Sequence, residues 1–403
     1  MLSLSAIPLH HCSATTRHRC ACDRGPLASV DRKMPSPSRV RWGEEIAANA
    51  TLTAAPFARP AHPPRLRPRS ERSFSGGSDR MTQNSQYRLA GEMVSKIHAV
   101  LGKHEGYRTL HADGRLFRGS FEANTDAARY CRAVHLQGDK IPVSVRFSKG
   151  GGDPFAHFSA TVGMATRFYL PDGRVTNLVM LSQKLFIARS IDQFIALVEA
   201  AAPLSPGGPP NLEGLRAILP DHPNAAAVLK MRAESPAPVS FGNTAFHAVH
   251  AFNLVDAAGN ITPARFHWIP VDGEKGQPAT DLAAQDASIL FDEITTRLEH
   301  EPVAFDLTLE LAEPDDILDD PTHLWPDGRR RVPIGRLTLT ASTSEAEIGD
   351  PVMNHDPSML VDGIEPTDDP ILHIRRGVYE VSAALRSGGW RRAGSMSRQS
   401  DIA

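Results

Sequence analysis

Near its carboxyl end the chain places a phenol between two guanidinium groups, in the stretch DDPILHIRRGVYEVSAALR. Arg375 lies four residues before Tyr379 and Arg386 lies seven after it, so on a helix the three side chains share one side. Guanidinium groups bind carboxylates in a planar fork, and a hydrogen bond from a cation favours the ionised form of a phenol. Taken by itself, however, the stretch is also typical of a surface helix with an amphipathic tyrosine.

Three earlier stretches carry further groups that are capable of chemistry. YRTLHADG contains Arg108 and His111, and an imidazole can take or give a proton near neutral pH. PVSVRFS contains Arg146 and Ser148, a cation and a hydroxyl two residues apart. Two aromatic residues follow in NLVMLSQKLFIARSIDQF, at Phe186 and Phe194. Each alone is weak evidence, because a single histidine in a strand is more often a structural residue than a catalyst.

Several common catalytic and metal-binding patterns are absent from the sequence. It contains no GxSxG and no P-loop, and the glycine-rich SKGGGDP, which lacks a GK[ST] ending, is interpreted as a loop. His247 and His250 lie three apart in a strand pattern, which would turn them to opposite faces. Cys12, Cys20 and Cys22 are mixed with histidines, but their spacing fits no usual zinc site.

Charge divides the chain into two parts. The formal net charge of the whole chain is −2, which argues against a nucleic-acid-binding protein. Residues 1–80 nevertheless hold 13 Lys and Arg against 6 Asp and Glu, and they are rich in proline and serine without apolar periodicity. We therefore expect residues 1–80 to be a disordered basic extension. It is either an organellar transit peptide or the product of an upstream start, with Met34 or Met81 as the true first residue.

The cellular setting follows from the cysteines and from the apolar runs. Cys131 stands alone outside the first 80 residues, so no disulfide framework is possible there, which suits a reducing compartment. No apolar run approaches the length that spans a membrane. We expect a cytoplasmic protein without membrane or nucleic-acid partners, or an organellar one if the extension is a transit peptide. The sequence leaves a monomer and a homo-oligomer both open.

Helical and strand patterns alternate along residues 81–392, which we expect to form one domain. QYRLAGEMVSKIHAVLG has helical spacing, whereas GRLFRGSFEA, IPVSVRFSKGGG and VGMATRFYLPDGRVTNLVM read as strands joined by turns. A helix in SIDQFIALVEAA precedes a proline-rich, loop-like stretch at 203–224. PVAFDLTLELAE and RVPIGRLTLTAS alternate as antiparallel strands do. These patterns predict an α+β fold, an antiparallel barrel with flanking helices, and residues 393–403 as a flexible tail.

Taken in order, the motifs resemble those of the haem catalase family over roughly residues 100–390. RTLHADG is similar to the family's Arg-x-x-His-Ala-x-Gly, and VRFS is its next signature. GMATRFY and NLVM resemble two further runs, and DGIEPTDDPILHIRRGVY resembles the segment that leads into the family's Arg-x-x-x-Tyr iron ligand. Several motifs in order are far more specific than any one of them, and they imply the catalase-like barrel.

The resemblance implies a b-type haem, iron protoporphyrin IX, and a role for each motif residue. Tyr379 is the expected iron ligand, bound as a phenolate, with Arg375 hydrogen bonding to its oxygen. His111 is the expected distal base and Ser148 its hydrogen-bonding partner. The remaining expected contacts to haem are three guanidiniums at its propionates, a stacking phenyl ring and a distal phenyl ring: Arg108, Arg146, Arg386, Phe194 and Phe186.

The chain also departs from the catalase pattern. NLVMLSQ puts Leu181 where true catalases carry a distal asparagine, so an amide that orients the second peroxide is missing. The overall pattern resembles the smaller catalase-related peroxidases, whose partners are hydrogen peroxide and a small organic electron donor. The alternatives are a haem-binding or storage protein that kept the fold, and a true catalase. Allene oxide synthases carry threonine directly before the distal histidine, where this chain has Leu110.

Overall fold

The structure, a computed structural model, describes residues 78–158, 161–205 and 210–387. The expected disorder and the Cys/His cluster of residues 1–77 lie outside this part of the chain, as does the tail at 393–403. The first helix begins at Ser78, so it includes the last three residues of the predicted basic extension. Among the described residues, no helix is long and apolar enough to cross a membrane.

Strands occupy most of the stretches whose residues alternate between apolar and polar. In chain order they are β1 Gly114–Ala123, β2 Ile141–Lys149, β3 Val162–Tyr169, β4 Val175–Leu181, β5 Ala237–Pro238, β6 Phe246–His247, β7 Phe252–Val255, β8 Ile261–Pro270, β9 Gly276–Gln277, β10 Val303–Leu311, β11 Arg331–Thr343 and β12 Ile364–Pro366. Eight of them form a closed sheet in the order β10-β11-β1-β2-β3-β4-β6-β8, and β8 pairs with β10 to complete the circle. Every pairing is antiparallel, which confirms the predicted barrel.

Aromatic side chains fill the barrel interior. Phe121 and Phe168 meet edge to face with ring centroids 5.3 Å apart, and Trp268 packs against both of them. All three are fully buried, and each projects from a different strand of the barrel. Gly335 makes room for this packing, because a Cβ there would lie 2.6 Å from the Phe121 ring. The barrel is therefore a packed core, and a ligand site has to lie outside it.

Helices form the outer layer. They are α1 Ser78–Leu101, α2 Ile191–Ala200, α3 Leu212–Ile218, α4 Pro223–Glu234, α5 Ala279–Ala283, α6 Ile289–Leu298, α7 Glu345–Ile348 and α8 Pro370–Arg386. Buried residues of α1 and α8 make one apolar cluster, in which Met93 and Val94 lie with Ile374 and Val381. Phe194 on α2 packs against the same cluster. These three helices stand together at one side of the barrel.

Two local predictions were wrong. The proline-rich stretch at 203–224, expected to be a loop, contains α3, whose first turn is capped by the Asn211 side chain. The strand expected through TAFHAVHAF ends at His247, so His250 does not lie in a strand at all. Alternating apolar residues in a short segment do not distinguish a strand from an extended loop whose side chains are buried.

Candidate active site

Helix α8 carries Tyr379, and the Asp369 side chain caps its N-terminus. The Asp369 carboxylate accepts hydrogen bonds from the backbone N–H groups of Ile371 and Leu372, and Pro370 occupies the first helical position. The apolar face of the helix packs on α1. The other side of the helix presents Tyr379 toward a cavity beside the barrel.

All nine residues that were expected to form the site line this one cavity, although four different stretches of the chain supply them. The cavity has an empty volume of about 1130 Å³ when the open space at its mouth is included. The nine residues are Arg108, His111, Arg146, Ser148, Phe186, Phe194, Arg375, Tyr379 and Arg386. Leu181 also lines the cavity, so an apolar side chain stands where the resemblance places an amide.

His111 is held in place by two hydrogen bonds, one to its ring and one to its backbone oxygen. Its Nδ1 lies 3.0 Å from the Ser148 hydroxyl, and its backbone oxygen accepts from the Arg146 guanidinium at 3.0 Å. Arg146 also donates to the oxygen of Ala112 at 3.1 Å. The backbone of His111 has φ +52°, a left-handed conformation found at no other non-glycine position among the described residues. A strained backbone held by several bonds is typical of a functional position.

The charge state of His111 follows from its burial. Removal from water, together with the nearby Arg146 and Arg375, lowers the pKa of His111 to about 4. At neutral pH the imidazole is therefore uncharged and can accept a proton. Sequence reasoning identified the residue but had no information about this shift.

Strand register brings Ser148 to His111 and leaves room for the pair. Ser148 on β2 pairs with Gly163 on β3. A Cβ at Gly163 would lie 2.8 Å from both the His111 Nδ1 and the Ser148 oxygen. Gly163 is therefore needed for this close approach, and the sequence shows it only as one more glycine at the start of a strand.

Three guanidiniums gather at one part of the cavity wall. Arg108 donates to the oxygen of Met353 at 2.8 Å and lies 3.6 Å from the Glu345 carboxylate. Arg386 donates more weakly to the same Met353 oxygen, at 3.4 Å, and its buried Nε has no hydrogen-bond partner in the described part of the chain. Burial and the charge of Arg386 lower the pKa of Arg108 to about 10, and burial lowers that of Arg386. Burial and mutual repulsion also lower the pKa of Arg146. Among the described residues the three cations form one ion pair, that of Arg108 with Glu345, which suits this part of the wall to an anionic ligand.

Arg375 and the two phenylalanines lie close together in the same wall. The Arg375 guanidinium carbon is 5.6 Å from the centroid of the Phe186 ring, and Phe186 stacks on Phe194 at 5.7 Å. The hydrogen bond expected between Arg375 and Tyr379 is not formed within the described chain, because the guanidinium lies over Phe186 instead. Phe186, which was expected to line the distal side of a haem, lies against the Arg375 guanidinium in this structure.

Sequence reasoning missed a buried pair beneath α8. His250 Nδ1 and Asp369 Oδ2 are 2.5 Å apart, and both side chains are almost wholly excluded from water. Burial, with the nearby charge of Arg375, lowers the pKa of His250 to about 4. The pair connects the cap of α8 to the barrel side of the molecule and stands close to Arg375. The sequence signals Asp369 as a helix cap, because it directly precedes Pro370. It gives no signal for the contact with His250, which lies 119 residues away in the chain.

Two further cavity residues were also missed. His355 lines the cavity, with its Nδ1 3.4 Å from Arg108. Ser382, on α8 between Tyr379 and Arg386, accepts hydrogen bonds from the backbone and the hydroxyl of Thr109, at 3.3 and 3.1 Å. The spacing of Ser382, three residues beyond Tyr379, could have placed it on the same helix face. His355 lies in a loop and gave no such signal.

The residues present fit haem. Apolar side chains from two helices and two strands provide the walls: Met93, Ile97, Ile374, Val378, Met164 and Val179. The three guanidiniums and the unpartnered Arg386 Nε suit the carboxylates of a porphyrin. A phenol in the same cavity is one of the axial ligands that proteins use for haem iron. Among the described residues no His, Cys, Asp and Glu side chains cluster as ligands of a simple metal ion.

Comparison with known proteins agrees with this geometry. The family model described as "Catalase" matches residues 95–392. The chain is 35% identical to a catalase-related peroxidase of Mycolicibacterium paratuberculosis over 300 residues, which are 74% of this chain and 94% of the relative. A catalase-related peroxidase of Synechococcus elongatus is 34% identical over 74% of this chain and 88% of its own length.

A solved structure shows the same fold at lower sequence identity. Catalase A from Saccharomyces cerevisiae superimposes with a TM-score of 0.64 and 17% identity. The alignment covers 82% of this chain and 68% of the yeast chain. The motif order, the closed antiparallel barrel and the family match together lead to one conclusion: this chain belongs to the catalase family.

Proposed function

We propose that the protein is a haem-dependent peroxidase, which reduces hydrogen peroxide with electrons from a small organic donor. One observation carries the proposal: an uncharged His111, held by Ser148, shares a cavity with Tyr379 and three buried guanidiniums. The similarity to two proteins named catalase-related peroxidase supports it. We propose both the haem cofactor and the organic donor.

Tyr379 would hold the haem iron, as a phenolate. Arg108, Arg146 and Arg386 would bind the porphyrin carboxylates, since guanidinium forks match their geometry. When bound, haem supplies the redox chemistry by which oxidising equivalents pass from peroxide to the donor. The apolar walls from α1, α8 and β3 would keep water away from a bound porphyrin.

His111 would move a proton between the two oxygens of the peroxide. Its uncharged imidazole takes the proton from one oxygen and returns it to the other, which then leaves as water. The bond to Ser148 orients the ring for both transfers. The overall reaction balances when the donor AH₂ loses two electrons and two protons: H₂O₂ and AH₂ give two waters and A.

Leu181 favours a peroxidase over a true catalase. A catalase must hold a second peroxide as the reductant, and an amide next to the histidine helps to orient it. An apolar side chain at this place gives the second peroxide no hydrogen bond. An organic donor that delivers electrons at the edge of the site does not need that amide. We therefore expect peroxidase activity with weak oxygen evolution.

Absorption spectra and turnover of three proteins test the proposal. The purified wild type should show a Soret band and oxidise a dye donor with peroxide. Tyr379→Phe should lose the band or shift it strongly, because no phenolate remains to bind iron. His111→Ala should keep the haem but lose roughly 10²- to 10⁴-fold in peroxidase rate.

The alternatives predict other outcomes. A wild type without a Soret band, or a Tyr379→Phe variant with full haem content and full activity, would refute the proposal. Equal rates for wild type and His111→Ala would instead identify a haem-binding or storage protein. Vigorous oxygen evolution without a donor would identify a true catalase.

A further inference from the structure

The geometry assigns His355 as a fourth ligand-binding residue beside the three guanidiniums, with its Nε2–H as the hydrogen-bond donor to a carboxylate of the bound porphyrin. The inference rests on the proposed function, because it takes haem as the ligand. The inference goes beyond the proposed function because His355 is not part of the family motifs.

The chemistry of arginine decides which nitrogen of His355 carries the proton. His355 Nδ1 lies 3.4 Å from the Arg108 guanidinium. A guanidinium can only donate hydrogen bonds, so Nδ1 has to be the acceptor in this contact. A neutral imidazole then carries its single proton on Nε2, which is the nitrogen farther from Arg108.

The ring stays neutral because of where it lies. Only 1% of His355 is exposed. Burial, together with Arg108, Arg167 and Arg146, lowers the pKa of His355 well below its ordinary value. A second proton on the ring would add one more cation to a region that already holds several. His355 therefore adds a donor to the site without adding charge.

The Nε2–H donor has no partner in the described part of the chain, although it is buried in the cavity wall. Leaving such a group unpaired costs about 1–3 kcal/mol, so a buried donor is normally matched by an acceptor. The Nε of Arg386, in the wall of the same cavity, is likewise buried without a partner. Two unpartnered donors in one wall match a ligand that brings acceptor oxygens to it.

The loop that carries His355 is fixed by its own contacts. Arg167 donates to the backbone oxygen of Asn354 at 2.6 Å and forms an ion pair with Asp350. Asn177 donates to the oxygen of Asp356 at 2.9 Å. Residues on both sides of His355 are thus anchored to strands β3 and β4, and the ring is oriented before a ligand arrives.

A pair of substitutions separates the two nitrogens of the ring. In His355→Gln the side-chain amide nitrogen reaches the position of Nε2, whereas in His355→Asn it reaches only the position of Nδ1. Full-length wild type and both variants, stripped of porphyrin, are titrated with haem and with haem dimethyl ester, which lacks free carboxylates. The Soret band reports the affinity for each porphyrin, and circular dichroism checks that each protein is folded.

The measured quantity is the preference for haem over its dimethyl ester. His355→Asn should reduce this preference roughly 10- to 100-fold, as expected for a lost hydrogen bond to a charged group. His355→Gln should keep most of it. An unchanged preference in the Asn variant, or an equal loss in both variants, would overturn the assignment of Nε2 while leaving the haem proposal intact.

Porphyrin binding by the wild type tests the proposed function, on which the inference rests. A wild type that binds neither porphyrin would refute the proposed function and this inference together. If the Asn variant fails to fold, the Gln variant carries the test, together with His355→Met, which has a similar length and no N–H donor. A Met variant that retains the preference of the wild type would then overturn the inference.

Discussion

His111 shows how one side chain can be prepared for proton transfer by its neighbours. Its backbone lies in the left-handed region, which an ordinary residue adopts at an energetic cost. Arg146 offsets that cost by donating to the oxygens of both His111 and Ala112, and Ser148 fixes the ring. The conformation, the orientation and the charge state of the imidazole thus have separate causes that can be changed one at a time.

Replacement of Ser148 by alanine tests the orientation of the ring. Ser148→Ala should lower the peroxidase kcat/KM roughly 3- to 10-fold, because one neutral hydrogen bond is lost. The haem content, read from the Soret band, should stay the same. Ser144→Ala is the matched control, since Ser144 is a buried hydroxyl on the same strand that bonds to Tyr169 instead. Equal losses in both variants would mean that only strand β2 was disturbed.

The pH dependence of turnover tests the charge state of His111. Since burial lowers its pKa to about 4, the imidazole remains uncharged and competent until the pH falls to that value. The kcat/KM for peroxide should therefore fall on the acid side with an apparent pKa near ~4, whereas an ordinary histidine would give about 6.5. Initial rates between pH 5 and 8 check this, because a histidine with an ordinary pKa would already lower the rate within that range. An acid limb near the ordinary value would show that the ring is solvated in the working enzyme.

At the scale of single residues, the motifs predicted most of the side chains that line the cavity, and only the three-dimensional structure shows which of them contact one another. The nine residues named from motifs do line one cavity. His355 and Gly163 could not be found in this way, because their roles depend on a distant arginine and on strand register. The hydrogen bond from Arg375 to Tyr379 was implied by the family resemblance. Helical spacing places the two residues on one face but does not decide which neighbour the longer side chain touches.

Among the elements, α8 does the most to assemble the site, and its first residues set its direction. The Asp369 carboxylate binds two backbone N–H groups and His250 at once. The cap therefore anchors the helix to the rest of the protein as well as ending it. A helix that pivots about this point would move Tyr379, three turns along, by more than it moves the cap.

Removal of the Asp369 carboxylate should therefore harm both stability and the site. Asp369→Ala loses a helix cap and leaves His250 without a partner, so the free energy of unfolding should fall by about 2–4 kcal/mol. Haem affinity should fall as well. Ser190→Ala, which removes the N-cap hydroxyl of α2, should cost only about 1 kcal/mol and leave haem affinity nearly unchanged. Urea unfolding and Soret titration measure the two quantities, and equal effects of the two variants would contradict the anchoring role.

The strands and long helices were predictable because their patterns are strong. β1 coincides with GRLFRGSFEA, and α2 lies within the predicted helical stretch SIDQFIALVEAA, with the Ser190 side chain as its N-cap. Helix α3 was missed because prolines and glycines surround it, and its seven residues are too few to show a period.

At the scale of the whole molecule, buried histidines couple stability to pH. The pKa of His111, His135 and His250 is about 4 in the folded protein, with burial as the first cause in each. In the unfolded chain a histidine has a pKa near ~6.5. Between these values the unfolded chain binds more protons than the folded protein, so acid favours unfolding.

Stability should therefore fall steadily as the pH is lowered from about 6.5 to 4. Each of the three histidines contributes roughly 1.4 kcal/mol per pH unit within this window. Urea unfolding at pH 5, 6 and 7 measures the slope. His135→Phe should make the slope shallower, since His135 lies outside the cavity and packs against Phe168. His300→Gln, at an exposed position, is the control. The same slope in wild type and His135→Phe would contradict this account.

Fold class and site were predictable from the same information, namely the order of motifs along the chain. Composition and periodicity alone led to an α+β barrel, and the resemblance to catalases made the assignment specific. The sequence does not predict the pairing of β8 with β10 that closes the barrel. The strands share the same alternation of apolar and polar residues, and this alternation does not identify the partner of a strand.

The contact between α1 and α8 has a consequence for how the protein is made. These helices are the first and last of the described chain, yet both line the cavity. A chain that emerges from the ribosome in order can complete its barrel while this wall is still missing. The pocket closes only after synthesis has passed Arg386. If the cavity binds haem as proposed, the cofactor can be enclosed only after that point, and a product that stops before Pro370 would form much of the barrel without enclosing a ligand.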